Sequence, residues 1–153
     1  MRYSKYTEFQ CKLNIYDSPN LDMGEVKSYL SSRNDIKRLK LDSYIMKRGR
    51  VHKCVSSTVN IYLDDLDKFL NVKLRRFITW DRLKYNKYKS ISSVVNRISD
   101  LSVFNMAAIM RIDCDLYYRT TINNRQVYRV IQYRWRKHSI HIKDIMPNEF
   151  FSA

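Results

Sequence analysis

The chain has 153 residues, 29 Lys and Arg against 15 Asp and Glu, a formal net charge of +14 and an apolar share of 44%. That length fits one domain spanning 1–153 with a sizeable core and is too short for two. Two glycines, two prolines and no low-complexity run leave no linker or disordered tail readable, and no stretch approaches the roughly 18 apolar residues that a membrane span needs.

No apolar run follows Met1-Arg2-Tyr3-Ser4-Lys5, so no secretory signal is expected. The three cysteines, Cys11, Cys54 and Cys114, are odd in number and far apart, which predicts free thiols in an intracellular, reducing setting. The charge speaks of partners: RNA or another nucleic acid first, an anionic membrane surface held peripherally second, an acidic protein third.

Along the chain, Thr7, Phe9, Cys11, Leu13 and Ile15 alternate with polar residues, the period of a strand with one buried face. Asp17-Ser18-Pro19-Asn20 reads as a turn. Asp22 with Glu25 forms a capping box that starts a helix with Met23, Val26 and Leu30 on one face, ending near Arg33-Asn34. Strands are predicted at Lys40 to Lys47 and Val51 to Leu63, joined through Arg48-Gly49-Arg50. Asp64-Asp65 is expected to cap a short helix running through Phe69-Leu70, and Val72 to Trp80 reads equally as helix or strand. Ile91, Val94, Val95, Ile98 and Leu101 give Ser90 to Leu101 the spacing of an amphipathic helix.

The C-terminal part reads as a long hairpin. Asn123-Asn124 tolerates positive φ, and a two-residue turn there places Ile122 opposite Arg125, Leu116 opposite Ile131, Cys114 opposite Tyr133 and Ile112 opposite Trp135. The other face then carries Arg111, Asp113, Asp115, Arg119, Arg134 and Arg136, with Asp113 facing Arg134. The predicted class is α+β: antiparallel sheet with two to three helices packed on one side and a long C-terminal β-hairpin.

Cations cluster at Lys37 to Lys40, at Lys47, Arg48, Arg50 and Lys53, at Lys73, Arg75 and Arg76, at Arg82, Lys84, Lys87 and Lys89, and at Arg134, Arg136 and Lys137. Interleaved tyrosines suit RNA, because cations neutralise phosphate while rings stack on unpaired bases. Of these, Lys47, Arg48, Arg50, Lys53, Arg75, Arg76, Arg82, Lys84, Lys87, Lys89, Arg134, Arg136 and Lys137 are the candidate polyanion contacts. Arg82 to Lys89 is the favoured contact loop.

No catalytic site is expected. Glycine only at positions 24 and 49 excludes a phosphate-cradling glycine loop. His52, Cys54, Cys114, His138 and His141 have no zinc-ligand spacing, so neither metal nor other cofactor is expected. Cys11 and Cys114 sit on apolar strand faces and read as core. Asp113 and Asp115, with Asp64, Asp65 and Asp67, would be the carboxylates of a metal-dependent nuclease, the third reading; pairing with arginine and helix capping account for them instead.

The strand from Thr7 to Tyr16, the turn through Asp17-Ser18-Pro19-Asn20 and the helix from Asp22 resemble the start of the folded domain of rhabdovirus matrix proteins. The later order of elements, the small size and the basic charge are similar to those of the plant-virus members. The resemblance implies a non-enzymatic, self-associating structural protein of the virion and host-cell cytoplasm that bridges ribonucleoprotein to an anionic membrane. A stand-alone RNA-binding accessory protein, a silencing suppressor or regulator, is the alternative.

Overall fold

A computed structural model describes residues 7–79, 104, 106, 107, 109–136 and 139–153. The predicted helix Ser90 to Leu101, the segment Arg82 to Lys89 and Lys137 lie outside the described residues.

The elements follow in the order β1 (Glu8–Tyr16), α1 (Met23–Ser32), β2 (Ile36–Lys47), β3 (Arg50–Tyr62), α2 (Leu63–Lys68), β4 (Ile112–Ile122), β5 (Arg125–Arg134), β6 (Ser139–Ile145) and α3 (Pro147–Phe151). They build one six-stranded sheet in the order β2-β3-β1-β4-β5-β6, antiparallel at every pairing. The α+β class expected from the sequence is the observed one.

The alternation in β1 sorts the sheet into two faces. Phe9, Cys11, Leu13 and Ile15 are buried on one face beside Val55, Val59 and Ile61 of β3 and Cys114, Leu116 and Tyr118 of β4. Val26 and Leu30 of α1, Leu66 of α2 and Phe69, Leu70 and Leu74 close over them in one core. At roughly 25 cal/mol per Å² of apolar surface removed from water, burying such side chains is the main stabilising term of the fold.

Local chemistry accounts for the element ends. Asp22 caps α1, its carboxylate accepting from the Glu25 amide at 3.2 Å. Arg48 and Gly49 both have positive φ, 50° and 73°, so the β2–β3 connection is a two-residue turn that needs the glycine. Asn123 and Asn124 do the same for β4–β5 with φ of 51° and 63°. That hairpin keeps the expected register from Ile122 opposite Arg125 to Cys114 opposite Tyr133.

Four expectations change. The strand before Arg48 begins at Ile36, because register shifts between Lys37 and Lys40 and between Lys40 and Ser43 carry the pairing past two irregularities. Asp64 is not a cap: α2 starts directly from β3 at Leu63, Tyr62 precedes it without a side-chain cap bond, and Asp64 and Asp65 lie in the first turn, where the helix dipole favours them. Helix continues through 69–73 as a π turn and 74–77 as a 3-10 turn, which settles most of the ambiguous stretch from Val72. Finally, β5 is flanked by β6, so the hairpin is the first part of a three-stranded meander.

The second face of the sheet is polar and divided in two. At one end α3 covers it: Phe150 is buried against Tyr128 with ring centroids 5.2 Å apart, and the Arg38 guanidinium holds the backbone oxygens of Ser152 and Ala153. At the other end no helix of the described residues covers it, and there the cations gather.

A candidate polyanion cleft

The anchor of this end is Asp113, only 4% exposed although charged. Its carboxylate accepts from Lys47 Nζ, from the Tyr16 hydroxyl at 2.9 Å and from the Trp135 amide at 3.3 Å. A buried carboxylate needs such partners, since an unpaired buried charge costs several kcal/mol. The expected pairing with Arg134 is therefore replaced. Arg134 instead makes a fork on Asp115, 2.5 and 3.4 Å, because β4–β5 pairing stops at Cys114 and Tyr133 and the chain turns so that the Trp135 N–H, rather than Ile112, meets Asp113.

Lys47 sits on β2 and Asp113 on β4, three strands away in the sheet order. In a flat sheet three spacings amount to about 14 Å, more than a lysine side chain spans. The β2–β3 hairpin therefore curls over the polar face, as the irregularities in β2 allow. Lys47 Nζ passes 4.6 Å from the centre of the Tyr16 ring on its way, and His52 stands edge-on to that ring at 6.1 Å.

The curl creates a cleft of about 260 Å³ lined by Lys47, Arg48, Arg134 and Arg136. Beside it Trp135 is flanked by the guanidinium groups of Arg111 at 5.4 Å and Arg136 at 5.2 Å. Lys47 and Arg134 have carboxylate partners; Arg48 and Arg136 have none among the described residues. Burial opposes the charge of Arg134, but hydrogen bonding and attraction to Asp115 outweigh it and hold the group above its ordinary pKa. Burial, then the adjacent Asp113 charge, pushes the Tyr16 phenol far up, so it stays a donor.

The other candidate contacts are distributed differently. Arg50 lies across the turn from Lys47 and is exposed. Lys53 alternates to the face that carries α1 and α2 and pairs with Asp42 at 3.2 Å, a carboxylate shared with Lys27. Arg75 and Arg76 belong to the 3-10 turn on that same side, Arg76 lying over the rings of Tyr29 and Phe77 at 5.7 and 5.4 Å. Arg82, Lys84, Lys87 and Lys89 fall outside the described residues, as does Lys137.

Sequence reasoning missed Tyr16 and Trp135 as members of this site. Alternation on one hairpin face signalled the paired aspartates with Arg111, Arg134 and Arg136, and charge clustering signalled Lys47 and Arg48.

Among the described residues the site offers cations and hydrogen-bond donors. Among the described residues no group of three or more His, Cys, Asp or Glu side chains is placed to hold a metal ion, and no helix is long and apolar enough to cross a membrane. Fold and site together define an antiparallel α+β domain with a cationic cleft at the end of the sheet face that no helix of the described residues covers. Comparison of the chain with protein-family models, curated proteins and solved structures gives no match.

Proposed function

We propose that this is a non-enzymatic protein that binds RNA or ribonucleoprotein through the cleft between the β2–β3 turn and the β4–β5 hairpin. The observation that carries the reading is the convergence of Lys47, Arg48, Arg134 and Arg136 on one cleft, two of them without a carboxylate partner among the described residues. Four cations held together repel one another, and the arrangement is relieved when phosphate enters. Arginine is suited to that role because its planar fork meets two phosphate oxygens at once.

In its wider form the proposal is a matrix-like structural protein of the virion and host-cell cytoplasm. It would meet an anionic membrane peripherally through the same charge and associate with further copies of itself. β2 and β6, the outer strands of the sheet, pair on one side only among the described residues, which supports self-association, since an unpaired edge is a template for another strand.

The test is RNA binding by fluorescence anisotropy across a salt series. Arg48→Ala with Arg136→Ala is expected to weaken binding and flatten log affinity against log salt by about 1.4, two single-strand phosphate contacts. Arg75→Ala with Arg76→Ala, on the other side of the sheet, is expected to do less. Equal effects from the two pairs would remove the cleft as the interface.

A further inference from the structure

Resting on the RNA-binding reading, we propose that the cleft takes a terminal phosphomonoester, the phosphorylated end of an RNA strand, in preference to the internal phosphodiesters of the chain. The arrangement of the cations is the first ground. A groove that follows a strand spreads its charges along a track, one step per nucleotide, whereas Lys47, Arg48, Arg134 and Arg136 close on a single space of about 260 Å³. That is slightly below the usual range for small-ligand pockets. It suits a phosphate with its sugar and leaves no room for a stack of bases.

The charge balance is the second ground. Asp113 answers Lys47 and Asp115 answers Arg134, so among the described residues Arg48 and Arg136 remain as the two cations lining the cleft without a carboxylate partner. An internal phosphodiester carries one negative charge. A monoester carries about 1.5 to 2 at neutral pH, with three oxygens free to accept, and this matches the surplus.

Trp135 supplies the third. Its half-buried ring holds the guanidinium of Arg136, a cation of the cleft lining, 5.2 Å from its centre, and an arginine so backed by an indole can present its other face to a terminal base. A lipid headgroup has no base to place there. Moreover, the exposed apolar side chains of the nearby hairpin, Tyr44, Met46 and Val51, occupy the ribbon positions that alternate away from Lys47 and Arg50.

The experiment compares one short RNA carrying a 5′-phosphate, a 3′-phosphate or hydroxyl groups at both ends, bound to the full chain at fixed salt. Vesicles containing a phosphatidylinositol phosphate form a separate arm. One phosphate-ended form should bind about tenfold tighter than the hydroxyl form, the effect of one charge-assisted hydrogen bond. Arg48→Ala with Arg136→Ala should erase that preference, leaving phosphate-ended and hydroxyl-ended RNA bound equally and both more weakly than by the parent. Arg136→Glu alone, outside the turn, should erase it too and serves if the double variant folds poorly.

Equal affinity for all three RNAs would overturn end recognition and leave RNA binding standing. Absence of RNA binding would overturn both readings, and a preference that survives both variants would move the site elsewhere. Binding to the vesicles with no preference among RNA ends would assign the monoester to lipid and overturn the proposal.

Discussion

Replacing Asp113 with Asn separates stability from binding in one residue. The carboxylate is 4% exposed and accepts from Lys47, Tyr16 and Trp135. A hydrogen bond to a charged group contributes about 1.5–3 kcal/mol. Asn keeps one acceptor oxygen but turns an amide toward one of the donors, and Lys47, its side chain 28% exposed, recovers part of its loss from water. The net cost is therefore about 2–4 kcal/mol, below the simple sum of three bonds. With an m-value on the order of 2 kcal/mol/M, the urea midpoint should fall by about 1–2 M.

Binding should move the other way. Asp113→Asn removes the anion that occupies Lys47, so the folded variant should bind RNA more tightly, with a salt slope steeper by about 0.7. Urea unfolding followed by tyrosine and tryptophan fluorescence, beside anisotropy in a salt series, reads both. An unchanged midpoint would refute the buried-acceptor argument. Weaker RNA binding by a fully folded variant would refute the charge argument.

Gly49→Ala meets no heavy atom within 4 Å of the added carbon, yet the residue holds φ at +73°; the backbone alone should cost about 1 kcal/mol, read as a lower urea midpoint. The thiols of Cys11, Cys54 and Cys114 are all buried, and burial followed by the neighbouring Cys11 raises the Cys114 thiol well above its ordinary pKa. A thiol reagent should accordingly titrate none of the three in the native protein and all three in urea, and rapid native labelling would contradict their placement. Burial and then the Asp113 charge raise both Tyr16 and Tyr133 above the ordinary phenol value of 10.0. The native state thus holds these protons longer than the unfolded chain, and the stability they contribute is complete below about pH 10 and lost as pH rises beyond it. Near pH 11 the folded Tyr16→Phe and Tyr133→Phe variants should show the tyrosinate absorbance of the parent, and a drop in either would show that the phenol was already ionised.

The parts of the fold legible in the sequence are those that local rules dictate. Alternation from Phe9 to Ile15, the Asp22 cap and the Asn123-Asn124 turn each act within a few residues, and each holds in the structure. β6 was hidden because it is an edge strand: Ile140 and Ile142 alternate, but His141 between them and Lys143 and Asp144 after them read as surface. Asp64 misled because a capping residue and a first-turn residue share the same preference for the helix N-terminus.

The cleft was illegible for a different reason. Lys47 reaches Asp113 only through the order β2-β3-β1-β4 and the curl of β2, neither of which any local period encodes. Charge clustering in the sequence marked Lys47, Arg48, Arg134 and Arg136, but it marked Lys53, Arg75 and Arg76 equally. Strand parity sent Lys53 to the opposite face, and the course of the chain after α2 carried Arg75 and Arg76 to that side.

Hydrogen exchange of the full chain, free and saturated with a short single-stranded RNA, tests most directly whether the cleft is the interface. RNA should slow exchange of amides at Lys47 to Arg50 and at Trp135 and Arg136, while those around Arg75 and Arg76 and along α1 stay as they are. Protection confined to the latter segments, or to Arg82 to Lys89 alone, would contradict the account.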